Sequence, residues 1–234
     1  MNPTIRIYGP IGGDSEDSVT TKSVSDALLS IGDAPEIDVR INSDGGSVRQ
    51  GLAIHKMLAD YPGKIHVIVE GAACSIAGFI AMVGDRRTIC SDSMFHYHGP
   101  RIYTDEALDE VALEDHSKQI AIATESMAAR YAAVTGQTPE SIKEAFHRDN
   151  FLEADEAVAA GFMTHVGEGS TMVARINTEN FTVPKKFASV LAAKSEPIPK
   201  PGEEPMAAAT IAQMEARFTG ASACLLYTSP SPRD

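Results

Sequence analysis

Cysteine is scarce in this 234-residue chain: Cys74, Cys90 and Cys224 stand far apart, with no CxxC spacing. An odd, scattered set argues against a disulfide framework or a cysteine-built metal site and fits a reducing compartment. Basic residues are outnumbered, 20 Lys and Arg against 32 Asp and Glu, for a formal net charge of -12. That deficit argues against a nucleic-acid surface, which needs clustered cations facing phosphate. No apolar run approaches the roughly 18 residues of a membrane span. The opening MNPTIRIYG lacks the basic stretch and apolar core of a secretory signal. The expectation is a soluble cytoplasmic protein with neither a membrane nor a nucleic-acid partner. Hydrophobic content of 43% is ordinary, and the length fits one domain with an appendage.

What is present has a rhythm. TIRIY (residues 4–8) alternates as a strand, and a helix follows from Val19 to Ile31. EIDVRIN reads as a second strand and runs through SDGGSV into a helix from Ser47 to Tyr61, stopped by Pro62-Gly63. The strand Ile65 to Val69 then leads into GAACSIAGFI. Strand and helix alternating three times predict βαβ crossovers on a parallel sheet, an α/β fold. A short strand pair is expected at Arg87–Ile89 and Ser93–His96, then one long helix from Asp105 to Val134 ended by Gly136. Thr138-Pro139-Glu140 opens another helix, with Thr as N-cap and Pro at the first helical position. HRDNFLEADEAVAAGF reads as helix-forming, closing at Gly161, and Val166 to Ile176 as a strand or two.

The folded domain is therefore set at residues 1–183. Residues 184–206, rich in Pro and Glu, read as an extended linker, and residues 207–223 as the start of a C-terminal extension. The last stretch, CLLYTSPSPRD (residues 224–234), matches one reading frame of a transposon-type sequencing adapter and is expected not to be natural protein.

Three stretches carry chemistry. Ser75 sits where a strand turns into a small-residue helix, the place for a nucleophile served by main-chain donors; the plain alternative is a helix N-cap. Asn42 to Val48, NSDGGSV, brings two glycines to a strand end, where backbone N–H groups can approach a ligand. MFHYHGP places His96 and His98 just after a strand, so a serine and a histidine from neighbouring strand ends can meet. His96 and His98 can also be read as a metal pair lacking a third ligand, and Cys74 as a rival nucleophile or a buried thiol.

In this order, NSDGG, GAACS, MFH and RDNFLEADEAVAAGF resemble the proteolytic subunit of the Clp protease and its phage relatives, over residues 4–167. The family's NSPGG has Asp44 in place of Pro, and its alanine before the serine is Cys74. The resemblance implies the spiral of βαβ units shared by Clp peptidases and crotonases, with the long helix projecting as an oligomerisation arm. It implies Ser75 as nucleophile, His96 as general base, and the N–H groups of Gly46 and Ile76 as oxyanion hole. It also implies that substrate peptide pairs as an added strand near Gly45. The third triad position is placed at the end of a GLxD run, which here reads Gly161-Phe162-Met163-Thr164. Thr164 then orients His96 weakly, or another carboxylate (Asp149, Asp155 or Glu168) replaces it, or the enzyme is slow or silent.

On that resemblance the chain is expected to be a serine endopeptidase assembled as a homo-oligomeric ring, needing no cofactor and no metal. The linker favours a phage prohead maturation protease, cleaving scaffold or head proteins in the host cytoplasm or the procapsid. The alternatives are a general peptidase fed by an ATPase unfoldase and a catalytically silent ring scaffold. A crotonase-type acyl-CoA enzyme shares the fold, but a Ser–His pair does not ask for one.

Overall fold

The computed structural model describes residues 1–104, 107–170 and 182–192. Most of the expected linker, the C-terminal extension and the adapter-like end lie outside the described residues, as do residues 171–176 of the last expected strand region. In chain order the elements begin with β1 (Thr4–Tyr8), α1 (Thr21–Ile31), β2 (Glu36–Ser43), α2 (Val48–Ala59), β3 (Lys64–Cys74) and α3 (Ile76–Ala81). There follow β4 (Arg86–Cys90), β5 (Met94–Tyr97), α4 (Glu110–Thr135), α5 (Pro139–Ala145), β6 (Asn150–Glu153), α6 (Ala154–Ala159) and β7 (His165–Gly167). A 3-10 turn (Lys185–Phe187) and α7 (Ala188–Ala192) complete them.

Five strands run parallel in the order β1-β2-β3-β4-β7, as the βαβ rhythm predicts. β3 is long enough to have two neighbours on one edge. Its first half pairs with β4 (Val67 beside Arg87) and its last residues with β5 (Cys74 beside His96). β4 and β5 therefore each pair with β3 rather than with one another as the expected strand pair. β6 lies antiparallel on β5. It falls inside a stretch read as helix-forming, where Asn150-Phe151-Leu152 takes the open edge of β5 before α6 begins.

Period-two alternation sends Ile5, Ile7, Ile37, Val39, Ile41, Ile65, Val67 and Val69 to one face. There they join Ile54 and Leu58 of α2, Phe79 and Ile80 of α3, and Tyr131 of α4 in one core. The opposite face is polar at its near end: Glu70 accepts from the Tyr8 hydroxyl at 2.5 Å and pairs with Arg40. At its far end that face is apolar, where Ala72, Cys74 and Met94 are capped by Phe187, Val190 and Leu191. Parallel sheets are usually covered on both faces, and the 185–192 segment supplies the cover there. The first part of the expected linker is thus helical and packed, which moves the domain edge past 183.

The long helix begins later than expected, at Glu110 with Asp109 as N-cap, its carboxylate accepting from the Ala112 N–H at 2.8 Å. Left-handed Gly136 ends it, at φ 74°. Only Met127, Ala128, Tyr131 and Ala132 of α4 are buried, while Val111, Leu113 and Ile122 are exposed. At 1.5 Å per residue the helix spans roughly 39 Å, and its first half stands clear of the core.

Candidate active site

Ser75 interrupts the strand–helix junction with φ 54° and ψ -124°, the one non-glycine residue at positive φ among the described residues. Such a backbone costs on the order of 1–3 kcal/mol and persists only where the surroundings enforce it. Here they do: the Ser75 N–H donates to the His96 carbonyl at 2.9 Å, and Ile76 starts a wholly buried α3. Its side chain caps nothing, which sets aside the plain N-cap reading. Among the described residues Ser75 Oγ makes no hydrogen bond, so the hydroxyl is presented rather than spent.

The two glycines of NSDGG close over this turn. A side chain at Gly45, at φ 97°, would place its Cβ 2.8 Å from Ser75 Cβ and from the Cys74 carbonyl oxygen. The Ser43 hydroxyl accepts from the Gly45 N–H at 3.1 Å and fixes the turn. On the far side Ile11 donates to the Gly45 carbonyl and accepts from the Ser47 N–H, both at 2.7 Å. In such a parallel bridge the flanking residues bond and the central one does not, so the Gly46 N–H is not spent on Ile11. The Ile76 N–H, first in α3, has no acceptor within its helix.

His96 is fully buried, opposite Cys74 on the neighbouring strand. Asp149 Oδ1 lies 3.2 Å from His96 Nε2 and also accepts from Arg101 at 2.9 Å. The Phe151 ring stacks on the imidazole at 4.2 Å, and the His98 ring lies 5.2 Å away. Burial, together with His98, pushes the His96 pKa from 6.5 down to about 4, against the upward pull of Asp149. The imidazole is therefore neutral at pH 7 and able to take a proton.

Thr164 is not part of this group, which corrects the expected third position. Its hydroxyl donates to the Arg87 carbonyl and accepts from the Arg87 N–H, both at 2.9 Å, and lies 2.8 Å from His165 Nδ1. Sheet order explains why. Thr164 immediately precedes β7 beside the start of β4, level with Val67, whereas Ser75 lies past the opposite end of β3, beyond the bulge that shifts the β2–β3 register between Val69 and Ala73. Of the three candidate carboxylates, Asp149 is the one within hydrogen-bond reach of the His96 ring. Cys74 is buried, its thiol pushed far up by burial and 3.9 Å from Met94 Sδ, so it stays protonated. Among the described residues no cluster of three metal-ligating side chains surrounds His96 and His98. Sequence reasoning missed Phe151, because its stretch read as helix and Asn150 to Glu153 carries no period-two pattern of its own.

A βαβ spiral brings a strained serine, a glycine turn and a neutral histidine with its carboxylate to one end of the sheet, residue types that a serine peptidase uses. Residues 4–170 match the Clp protease family, and the chain belongs to that family. Among solved structures it is similar to a mutant of ClpP1 from Listeria monocytogenes, with 27% identity and a TM-score of 0.61. That match covers 71% of this chain and 92% of the other. The family is one of serine peptidases that form oligomeric rings and act on proteins. No described helix is long and apolar enough to cross a membrane.

Proposed function

We propose that this chain is a serine endopeptidase in which Ser75 attacks the peptide carbonyl, His96 takes its proton and Asp149 orients the imidazole. The contact between Asp149 and His96 carries the reading, because it gives the base a charged partner that Thr164 does not offer. An extended peptide beside Gly45 joins the sheet edge by main-chain hydrogen bonds and brings its carbonyl over Ser75. The oxyanion formed on attack is met by the N–H groups of Gly46 and Ile76. The imidazolium then protonates the leaving amine, and water releases the acyl group by the reverse path.

The setting we propose is phage prohead maturation, in the host cytoplasm or the procapsid, with scaffold or head proteins as substrates and the subunits in a ring. The Pro- and Glu-rich sequence after residue 192 and the further sequence beyond it support this, since they follow the stretch matched by the peptidase family. Exposed Val111, Leu113 and Ile122 on α4 support the ring.

Fluorophosphonate labelling of the chain and of its Ser75→Ala, His96→Ala and Asp149→Asn variants tests the chemistry; labelling that survives Ser75→Ala refutes it. Cleavage of a co-expressed scaffold protein without any ATPase tests the setting. Activity that appears only with an unfoldase would favour the general peptidase instead.

A further inference from the structure

The Lys185–Ala192 segment lies beyond residues 4–170, the part shared with the family. Its Phe187 is nonetheless only 1% exposed. It fills the outer face of β3 and β5 at the end that carries the site, over Ala72, Cys74 and Met94. Alternation along β5 puts Met94 and His96 on that face and sends Phe95 and Tyr97 to the main core. The Phe187 ring lies 6.0 Å from Phe151, which stacks on His96. Lys186 fastens the turn from outside. Its ammonium sits 5.0 Å over the Phe187 ring and pairs with Glu156 at 2.7 Å and Glu153 at 3.6 Å. Glu153 ends β6, the strand that carries Phe151.

We propose that this segment is a positioning strap for the general base: Phe187 holds Phe151 on the His96 ring and keeps water from it. The working pH of the base and its aim at Ser75 then depend on residues outside the shared peptidase core. The proposal rests on the Ser75–His96 reading above, and Phe187 acts through Phe151 without touching substrate. The charged and titratable groups facing His96 are Asp149 and Arg101 from the loops, His98 from just past the end of its own strand and the protonated Cys74 thiol from β3. None of them lies on the strap, so loosening it changes the wetness of the ring and not its charged neighbours.

The test reads His96 directly. Imidazole C2 hydrogen–deuterium exchange, followed by mass spectrometry with fragmentation between His96 and His98, gives the titration midpoint of His96 without requiring activity. Phe187→Ala is expected to move that midpoint up from the wild-type value toward 6.5, and Phe187→Leu to restore most of it. Fluorophosphonate labelling in parallel should fall roughly threefold or more at pH 5 relative to pH 8 in Phe187→Ala, as protonated base accumulates. An unchanged His96 midpoint in folded Phe187→Ala protein overturns the proposal. Should that variant not fold, the Val190→Ala, Leu191→Ala pair loosens the rim of the same cluster, and an unchanged midpoint there overturns it equally. A wild-type chain that never labels, yet whose His96 midpoint follows Phe187, sinks the peptidase reading and supports the strap.

Discussion

Asp149→Asn separates the two candidate triads in one substitution. The variant keeps the side-chain shape and removes the charge 3.2 Å from His96 Nε2. That charge matters when Ser75 gives up its proton and the imidazole becomes positive. At 3.2 Å a unit charge stabilises its opposite by about 1.3 kcal/mol in a water-like dielectric and about 5 kcal/mol at an effective dielectric of 20. The Asp149 side chain is 33% exposed and shares its oxygen with Arg101, which places the effect between those limits. About 3 kcal/mol, or roughly a hundredfold in rate, follows. This is less than the ~10⁴-fold seen where a triad aspartate is buried. The assay is the second-order rate of fluorophosphonate labelling, with turnover of a fluorogenic peptide beside it. Thr164→Ala is the control and should stay within about twofold, since surface substitutions away from special features change little. An Asp149→Asn variant as fast as wild type, or a large loss in Thr164→Ala, refutes the reasoning and returns the third position to β7.

Five further outcomes are expected. Because burial holds His96 near 4, its neutral form persists as pH falls, and the acid limb of labelling should lie well below pH 6. The same depressed values for His96 and His55 mean that the unfolded chain binds more protons between pH 6.5 and 4. Their contribution to stability is thus complete above 6.5 and lost as pH falls toward 4, which urea midpoints measured across that window will check. Gly45→Ala forces a side chain into φ 97° against Ser75 and the Cys74 carbonyl, so labelling should vanish and stability fall by about 1–3 kcal/mol, read by denaturant unfolding. Ser75→Gly should abolish labelling yet raise Tm by about 2–4 °C, since glycine accepts φ 54° at about 1 kcal/mol less strain. Val111→Asp with Ile122→Asp, both on the exposed half of α4, should lower the mass seen by light scattering if rings close through that helix.

The strands and helices up to Ser75 were legible because each carries its own period. Ile37, Val39 and Ile41 alternate, Pro62-Gly63 stops a helix, and the connections are short enough that neighbours in sequence are neighbours in the sheet. Gly45, Gly46, Ser75, Ile76 and His96 lie at or just past the ends of β2, β3 and β5, each beside a strand that carries its own signal, so local reading could single them out. The third partner of His96 is a different problem. It arrives after one long helix and one short one, and which carboxylate reaches the imidazole depends on which strand edge the returning chain takes. Asn150 to Glu153 pairs antiparallel with β5, so the residue just before it, Asp149, is carried to His96. His165 to Gly167 pairs parallel with β4, so the residue just before it, Thr164, is carried to Arg87 at the opposite end. The two residues are fifteen apart in sequence and both precede short strands with weak patterns of their own. Periodicity cannot rank them, because strand order is a property of the assembled sheet. The same holds for Phe187: nothing in KKFASVLAA announces a partner, and only the uncovered far end of β3 and β5 gives its ring somewhere to go.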